Sequence, residues 1–108
     1  MKKRELTQEE KDLITASEMV RKYIAAEDWE ACRKVIPEYM EQYPDSAWPH
    51  NLMGIMLESQ RKHPQAMKHF RAAWSLDPSF TPADENMEQY TDYESAVRVK
   101  PVYGKIIF

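Results

Sequence analysis

The side chains that could do chemistry in this sequence of 108 residues are few and scattered. The single cysteine, Cys32, is interpreted as a structural thiol that takes the place of a small residue. The three histidines do not form the i, i+4 pair that a metal-binding helix presents; they are His50, His63 and His69. The two glycines, Gly54 and Gly104, are isolated and cannot form a nucleotide-binding loop. The sequence therefore predicts no metal, no cofactor and no catalytic residue, and we do not expect an enzyme.

Composition and charge narrow the classes of partner. The net charge is -3, and the charged residues, 31% of the chain, are mixed in sign. A nucleic-acid-binding protein usually carries a basic excess, so no nucleic-acid partner is expected. Acidic pairs such as Glu9-Glu10 and Asp84-Glu85 are interpreted as solvated helix starts, where the helix dipole favours negative charge.

The compartment is inferred from the same composition. One cysteine excludes an intramolecular disulfide. No apolar run is long enough to cross a bilayer, and no apolar core of a signal peptide follows the charges at Lys2 and Lys3. We expect a protein of the reducing cytoplasm with no membrane partner, and the composition fits a prokaryotic source.

Two prolines, Pro44 and Pro78, lie 34 residues apart, and small and aromatic residues recur in register between them. In order, these are Gly54, Ala66, Phe70, Ala73 and Pro78. This pattern resembles the tetratricopeptide repeat, a helix-turn-helix unit of 34 residues. The resemblance implies an all-α fold, a right-handed α-α superhelix, and a binding scaffold rather than a catalyst.

The register divides the chain, expected to form a single domain over 1–108. Residues 47–80 match the repeat, with His50 and Leu57 where aromatic residues are usual. Residues 13–46 form a second, degenerate repeat. An acidic helix over about 82–90 would cap the open end of the array, and an extended tail rich in β-branched residues follows over about 93–108.

Local signals predict where the helices begin and end. Thr7 with Glu10 forms a capping box, Asp28 is the next N-cap, and Asp45 or Ser46 is the third. A proline after His63 suits the first turn of a helix, and Pro78 ends that helix near Leu76. The predicted helices span 8–26, 29–42, 47–59, 63–76 and 82–90.

The resemblance also implies a binding groove, lined by positions 2, 5, 9 and 12 of each repeat. On this chain those positions are Ile14, Ser17, Arg21, Ile24, Trp48, Asn51, Ile55 and Glu58. The lysine of the clamp that holds chaperone carboxylates in this family is absent, so that activity is not expected. Trp48 and Ile55 instead suggest an apolar anchor pocket. The alternative is that Trp48 packs on a neighbouring helix or on the tail.

Two functions follow from these observations. The first is a protein-interaction scaffold whose groove binds a peptide or a partner helix. The second is a structural, self-associating module whose groove is filled by its own or a neighbour's C-terminal tail, with a homodimer as one possible result. The position of residues 97–108 is the discriminator: if they lie in the groove, we expect the free protein to be self-inhibited or to exchange tails with a neighbour.

Overall fold

The computed structural model describes residues 5–91 and 100–104, and within them all regular secondary structure is helical. Five helices follow one another along the chain. They are α1 (Gln8–Ala25), α2 (Trp29–Gln42), α3 (Trp48–Ser59), α4 (His63–Leu76) and α5 (Thr81–Thr91). The predicted all-α class is thus confirmed for the described residues.

Most helix ends follow from local chemistry. The Thr7 hydroxyl accepts a hydrogen bond from the Glu10 backbone, and the Glu10 carboxylate accepts one from the Thr7 backbone. Asp28 accepts from the Ala31 backbone. The predicted cap at Asp45 or Ser46 is wrong. Helix α3 has Ala47 as its N-cap without a side-chain capping bond, because the Ser46 hydroxyl accepts from Trp48 one position too early.

The first four helices form two hairpins with matching turns. Glu27 and Arg61 are the two described non-glycine residues with positive φ, at 55° and 61°. Each is followed by a residue whose backbone N–H closes the preceding helix, Asp28 to the Tyr23 carbonyl and Lys62 to that of Leu57. The two turns lie 34 residues apart, so the periodicity of the sequence is reproduced in backbone geometry.

Helix α3 is the centre of the molecule and contacts each of the other four helices. Gly54 lets the Phe70 ring of α4 lie directly on the α3 backbone. A Cβ built on Gly54 would be 2.7 Å from Phe70 Cδ1 and 2.8 Å from Cζ. Phe70, Ala66 and Ala73 are fully buried, as expected if they line the helix crossing.

Helix α5 packs on both α3 and α4. It is more than a polar cap, because Ala83, Asn86 and Tyr90 on its inner face are buried. Within the predicted tail, residues 100–104 are described and are not helical. Residues 92–99 and 105–108 lie outside the described part of the chain.

Candidate functional site

On the surface that we call the groove, the C-terminal segment 100–104 contacts Arg21 and Asn51, two of the eight residues predicted to line it. It contacts three helices: Arg21 of α1, Asn51 of α3 and Asn86 of α5 each touch it. Residues 100–104 are hereafter called the resident segment.

Two buried asparagines hold the backbone of the resident segment. Asn86 Nδ2 donates to the Val102 carbonyl at 2.9 Å, and Val102 N–H donates to Asn86 Oδ1 at 2.9 Å. Asn51 Nδ2 donates to the same carbonyl at 2.9 Å. A further bond of 2.8 Å, from Asn86 Nδ2 to Asn51 Oδ1, ties the two amides together. We call Asn51 and Asn86 the asparagine clamp. It reads backbone groups, which every residue except proline presents.

The clamp is buried, and each of its two amides is bonded to the resident segment. Asn51 and Asn86 have no exposed surface. A primary amide has two donors and one acceptor oxygen, and in Asn86 both the nitrogen and the oxygen are bonded to the segment. Hydrogen bonds in a low-dielectric interior are strong, and their loss leaves costly unpaired groups. The two amides are therefore positioned to hydrogen-bond to the backbone of a polypeptide segment.

The Tyr103 ring anchors the resident segment in the core. The side chain is 9% exposed and belongs to the buried cluster that contains Ile55 and Tyr90. Arg21 covers its face, with Cζ 4.5 Å from the ring centroid, which is a cation–π contact. Burial raises the pKa of Tyr103, although the Arg21 charge opposes the shift. Burial, aided by the Glu58 charge, raises the pKa of Tyr90 to about 12.

Gly104, the last residue of the resident segment, lies against the ring of Phe80. Its φ is +105°, and a Cβ built there would be 3.2 Å from two atoms of the Phe80 ring. Phe80 is itself stacked on Trp48, with centroids 5.4 Å apart and planes at 30°. Trp48 is thus packed on the residue that precedes α5, whereas the alternative interpretation of the sequence had it packed on a neighbouring helix or on the tail.

Two open depressions flank the resident segment. The larger is about 1000 Å³ and lies between the segment and the residues at the start of α5, including Pro82 and Glu85. The smaller, about 380 Å³, is lined by Ile24, Glu58 and Tyr90 among others.

Glu58 is one of the residues that line the smaller depression. Its side chain is 5% exposed and meets His63 Nδ1 at 2.5 Å. Burial raises the pKa of Glu58, and the contact with His63 acts in the opposite direction.

The eight predicted groove residues divide by position. Arg21 and Asn51 touch the resident segment directly, and Trp48, Ile24 and Glu58 line the adjacent depressions. Ile55 is fully buried in the core, and Ile14 packs against the cluster around Trp48. Ser17 is 7% exposed, and its hydroxyl has no hydrogen-bond partner among the described residues.

The sequence interpretation missed Asn86 as a functional residue. It treated the helix over about 82–90 as a cap for the open end of the array, whereas Asn86 on this helix is fully buried. The available signal was the spacing of Ala83, Asn86 and Tyr90, which places them on one helical face. A second asparagine on the next inner helix after Asn51 was the other signal.

One further pair of side chains lies away from the groove. His50 Nδ1 and His69 Nδ1 are 3.3 Å apart across the contact between α3 and α4. Burial lowers the pKa of both rings. Among residues 5–91 and 100–104 there is no group of three or more potential ligands that could hold a metal ion. None of the helices described combines the length and apolar character that crossing a bilayer requires.

Comparisons with protein-family models, with curated proteins and with solved structures found no match to the chain.

Proposed function

We propose that this protein is a peptide-binding interaction module of the tetratricopeptide type, whose groove binds an extended segment of polypeptide. The two-way hydrogen bonding between Asn86 and Val102 carries the proposal. A side-chain amide that both donates to and accepts from one residue recognises a peptide backbone as such. Asn51 adds a third bond to the same residue.

Matching hairpin turns at Glu27 and Arg61 support the repeat architecture behind this proposal. Stacked repeats form a concave face, and the resident segment contacts Arg21 and Asn51, two of the residues predicted to line that face. A partner helix is a weaker candidate ligand than an extended peptide, since the backbone groups that the clamp engages are already paired within a helix. The buried free thiol of Cys32 fits a protein of the reducing cytoplasm.

The test requires a groove from which the resident segment has been released. Val102→Pro removes the N–H that donates to Asn86 while leaving every groove residue in place. A fluorescent peptide with the sequence of residues 97–108 is then titrated into the full-length Val102→Pro chain. We expect saturable binding, and we expect the same peptide carrying Val102→Pro to bind at least about tenfold more weakly.

A matched control variant removes one side chain of the asparagine clamp. Adding Asn86→Ala to the Val102→Pro chain should weaken peptide binding by about tenfold or more, because the Val102 N–H of the peptide loses its acceptor and the Val102 carbonyl loses one of its two donors. Helical circular dichroism should stay intact. Failure of every peptide to bind a folded Val102→Pro chain would rule out the proposed function.

A structural role is the second candidate, and the burial of Tyr103 favours it. In that case the resident segment closes the groove permanently, within one chain or between two copies. A homodimer built by exchange of tails should show twice the monomer mass in light scattering, and Val102→Pro should convert it to a monomer. A monomer that binds no peptide in trans would favour closure within one chain.

A further inference from the structure

We infer that the groove selects for a sequence, an aromatic residue followed by glycine, immediately after the residue held by the asparagine clamp. The inference rests on the proposed function and specifies its ligand class: an extended partner segment that carries this aromatic–glycine pair. The resident segment, in which Tyr103 and Gly104 follow Val102, is the template for it.

The glycine is required for two independent reasons. At φ +105°, a residue with a side chain is strained whatever space surrounds it. A Cβ would also lie 3.2 Å from Phe80 Cε2 and Cζ. Phe80 cannot easily yield, because it is 8% exposed and stacked on Trp48. Both the backbone and the floor of the groove therefore discriminate against other residues.

The aromatic residue is required by the site that holds its ring. The site combines a buried apolar cluster on one side with the Arg21 guanidinium on the other. A small side chain would leave a cavity in the cluster and remove the cation–π contact. The Tyr103 hydroxyl makes no hydrogen bond to a described residue, so phenylalanine should serve in place of tyrosine.

The side chains of Val102 and Lys100 are not selected by the groove. Val102 is held through its backbone and its residue is only partly buried. Lys100 is exposed. Selection therefore falls on two adjacent residues, while the clamp supplies binding that does not depend on sequence.

The experiment titrates a series of synthetic peptides, each based on residues 97–108, into the full-length Val102→Pro chain. We expect Gly104→Ala and Tyr103→Ala peptides to bind at least about tenfold more weakly than the parent peptide. Tyr103→Phe and Lys100→Ala peptides should bind as the parent does. Equal binding of the Gly104→Ala and parent peptides overturns the inference and leaves the proposed function standing. Loss of all binding, including that of the parent peptide, overturns both.

A second measurement is independent of the Val102→Pro chain and so covers the case in which that variant does not fold. Gly104→Ala in the otherwise unaltered chain weakens the hold on its own segment. The parent peptide should therefore bind this variant at least about tenfold more tightly than it binds the unaltered chain. Equal affinity for the two chains overturns the inference.

Discussion

The two hairpins solve the same packing problem with different residues. Where the second hairpin has Gly54 and Phe70, the first has Val20 and Ile36, each 34 positions earlier, and all four are buried. The second hairpin pairs a glycine, which has no side chain, with a large aromatic ring. The first hairpin pairs two branched side chains of medium size. The difference teaches that two hairpins can each bury their helix crossing with different combinations of side-chain size.

The hairpins also differ in polarity at equivalent positions. Asn51 corresponds to Ser17, and the histidine pair His50 and His69 corresponds to Ala16 and Val35. At these positions the second hairpin carries groups that hydrogen-bond or titrate, while the first carries two apolar side chains and a hydroxyl with no partner among the described residues.

The largest loss of stability should come from removing the Phe70 ring at the helix crossing of the second hairpin. Phe70→Ala removes a ring that is fully buried and stacked on Tyr90 at 6.1 Å. We expect the free energy of unfolding to fall by about 3–5 kcal/mol. Ile36→Val in the first hairpin removes a single methylene group and should cost about 0.5–1.5 kcal/mol. Urea unfolding measures both, and similar losses would contradict the assignment of Phe70 to the crossing.

Adding a single methyl group tests the same crossing from the other side. Replacing glycine by alanine inside a helix ordinarily stabilises it by about 1 kcal/mol. Gly54→Ala should instead destabilise the chain by about 1–3 kcal/mol, because the new Cβ meets the Phe70 ring. Combining it with Phe70→Leu should cost less than the two single changes together. A more stable Gly54→Ala chain would refute the close approach.

The polar difference predicts opposite outcomes at equivalent positions. Asn51→Ala leaves the Val102 carbonyl with one fewer donor and removes the Asn51 Oδ1 acceptor of Asn86 Nδ2, and it should cost about 1–3 kcal/mol. Ser17→Ala removes a buried hydroxyl that has no partner among the described residues, and should cost almost nothing or stabilise slightly. Thermal unfolding of the two variants measures the contrast, and equal losses would remove it.

The smallest effect concerns pH. The pKa of His50 and of His69 is lowered by burial from about 6.5. The unfolded chain therefore takes up protons that the folded chain does not, and stability should fall as the pH drops through about 6.5. One Nδ1 donates to the other in this pair, and a doubly protonated pair has no acceptor.

The first hairpin supplies the control for this titration. The His50→Ala, His69→Val chain carries the residues of the first hairpin at these positions and keeps Glu58 and His63. Its melting temperature should change less between pH 7.5 and pH 5 than that of the unaltered chain. The difference should be small, because both rings are partly exposed. Parallel pH profiles for the two chains would show that the histidine pair contributes nothing.

The sequence predicted the helices well because their ends depend on neighbouring residues. The capping box at Thr7 and the helix end at Leu76 need only local hydrogen bonds and a proline. The N-cap of α3 was missed because Ser46 lies one residue too early.

The groove was predicted less completely than the helices. Asn51 and Arg21 were identified through the repeat register, but Asn86 and Tyr103 were not. Their role depends on where a distant segment of chain returns, and no local pattern encodes that path. Ile55 was expected in the groove and is fully buried, because periodicity marks a helix face but not how far a neighbouring element covers it.

The covalent link between the groove and the resident segment sets a threshold for any outside ligand under the proposed function. A tethered segment competes at an effective concentration in the millimolar range. A free peptide with the same contacts would therefore remain largely unbound at micromolar levels. Only a ligand that uses additional surface, such as the 1000 Å³ depression beside the segment, could gain enough affinity to enter at such levels. Because Val102 and Tyr103 are covalently attached to the protein that binds them, the resident segment excludes weakly binding ligands from the groove.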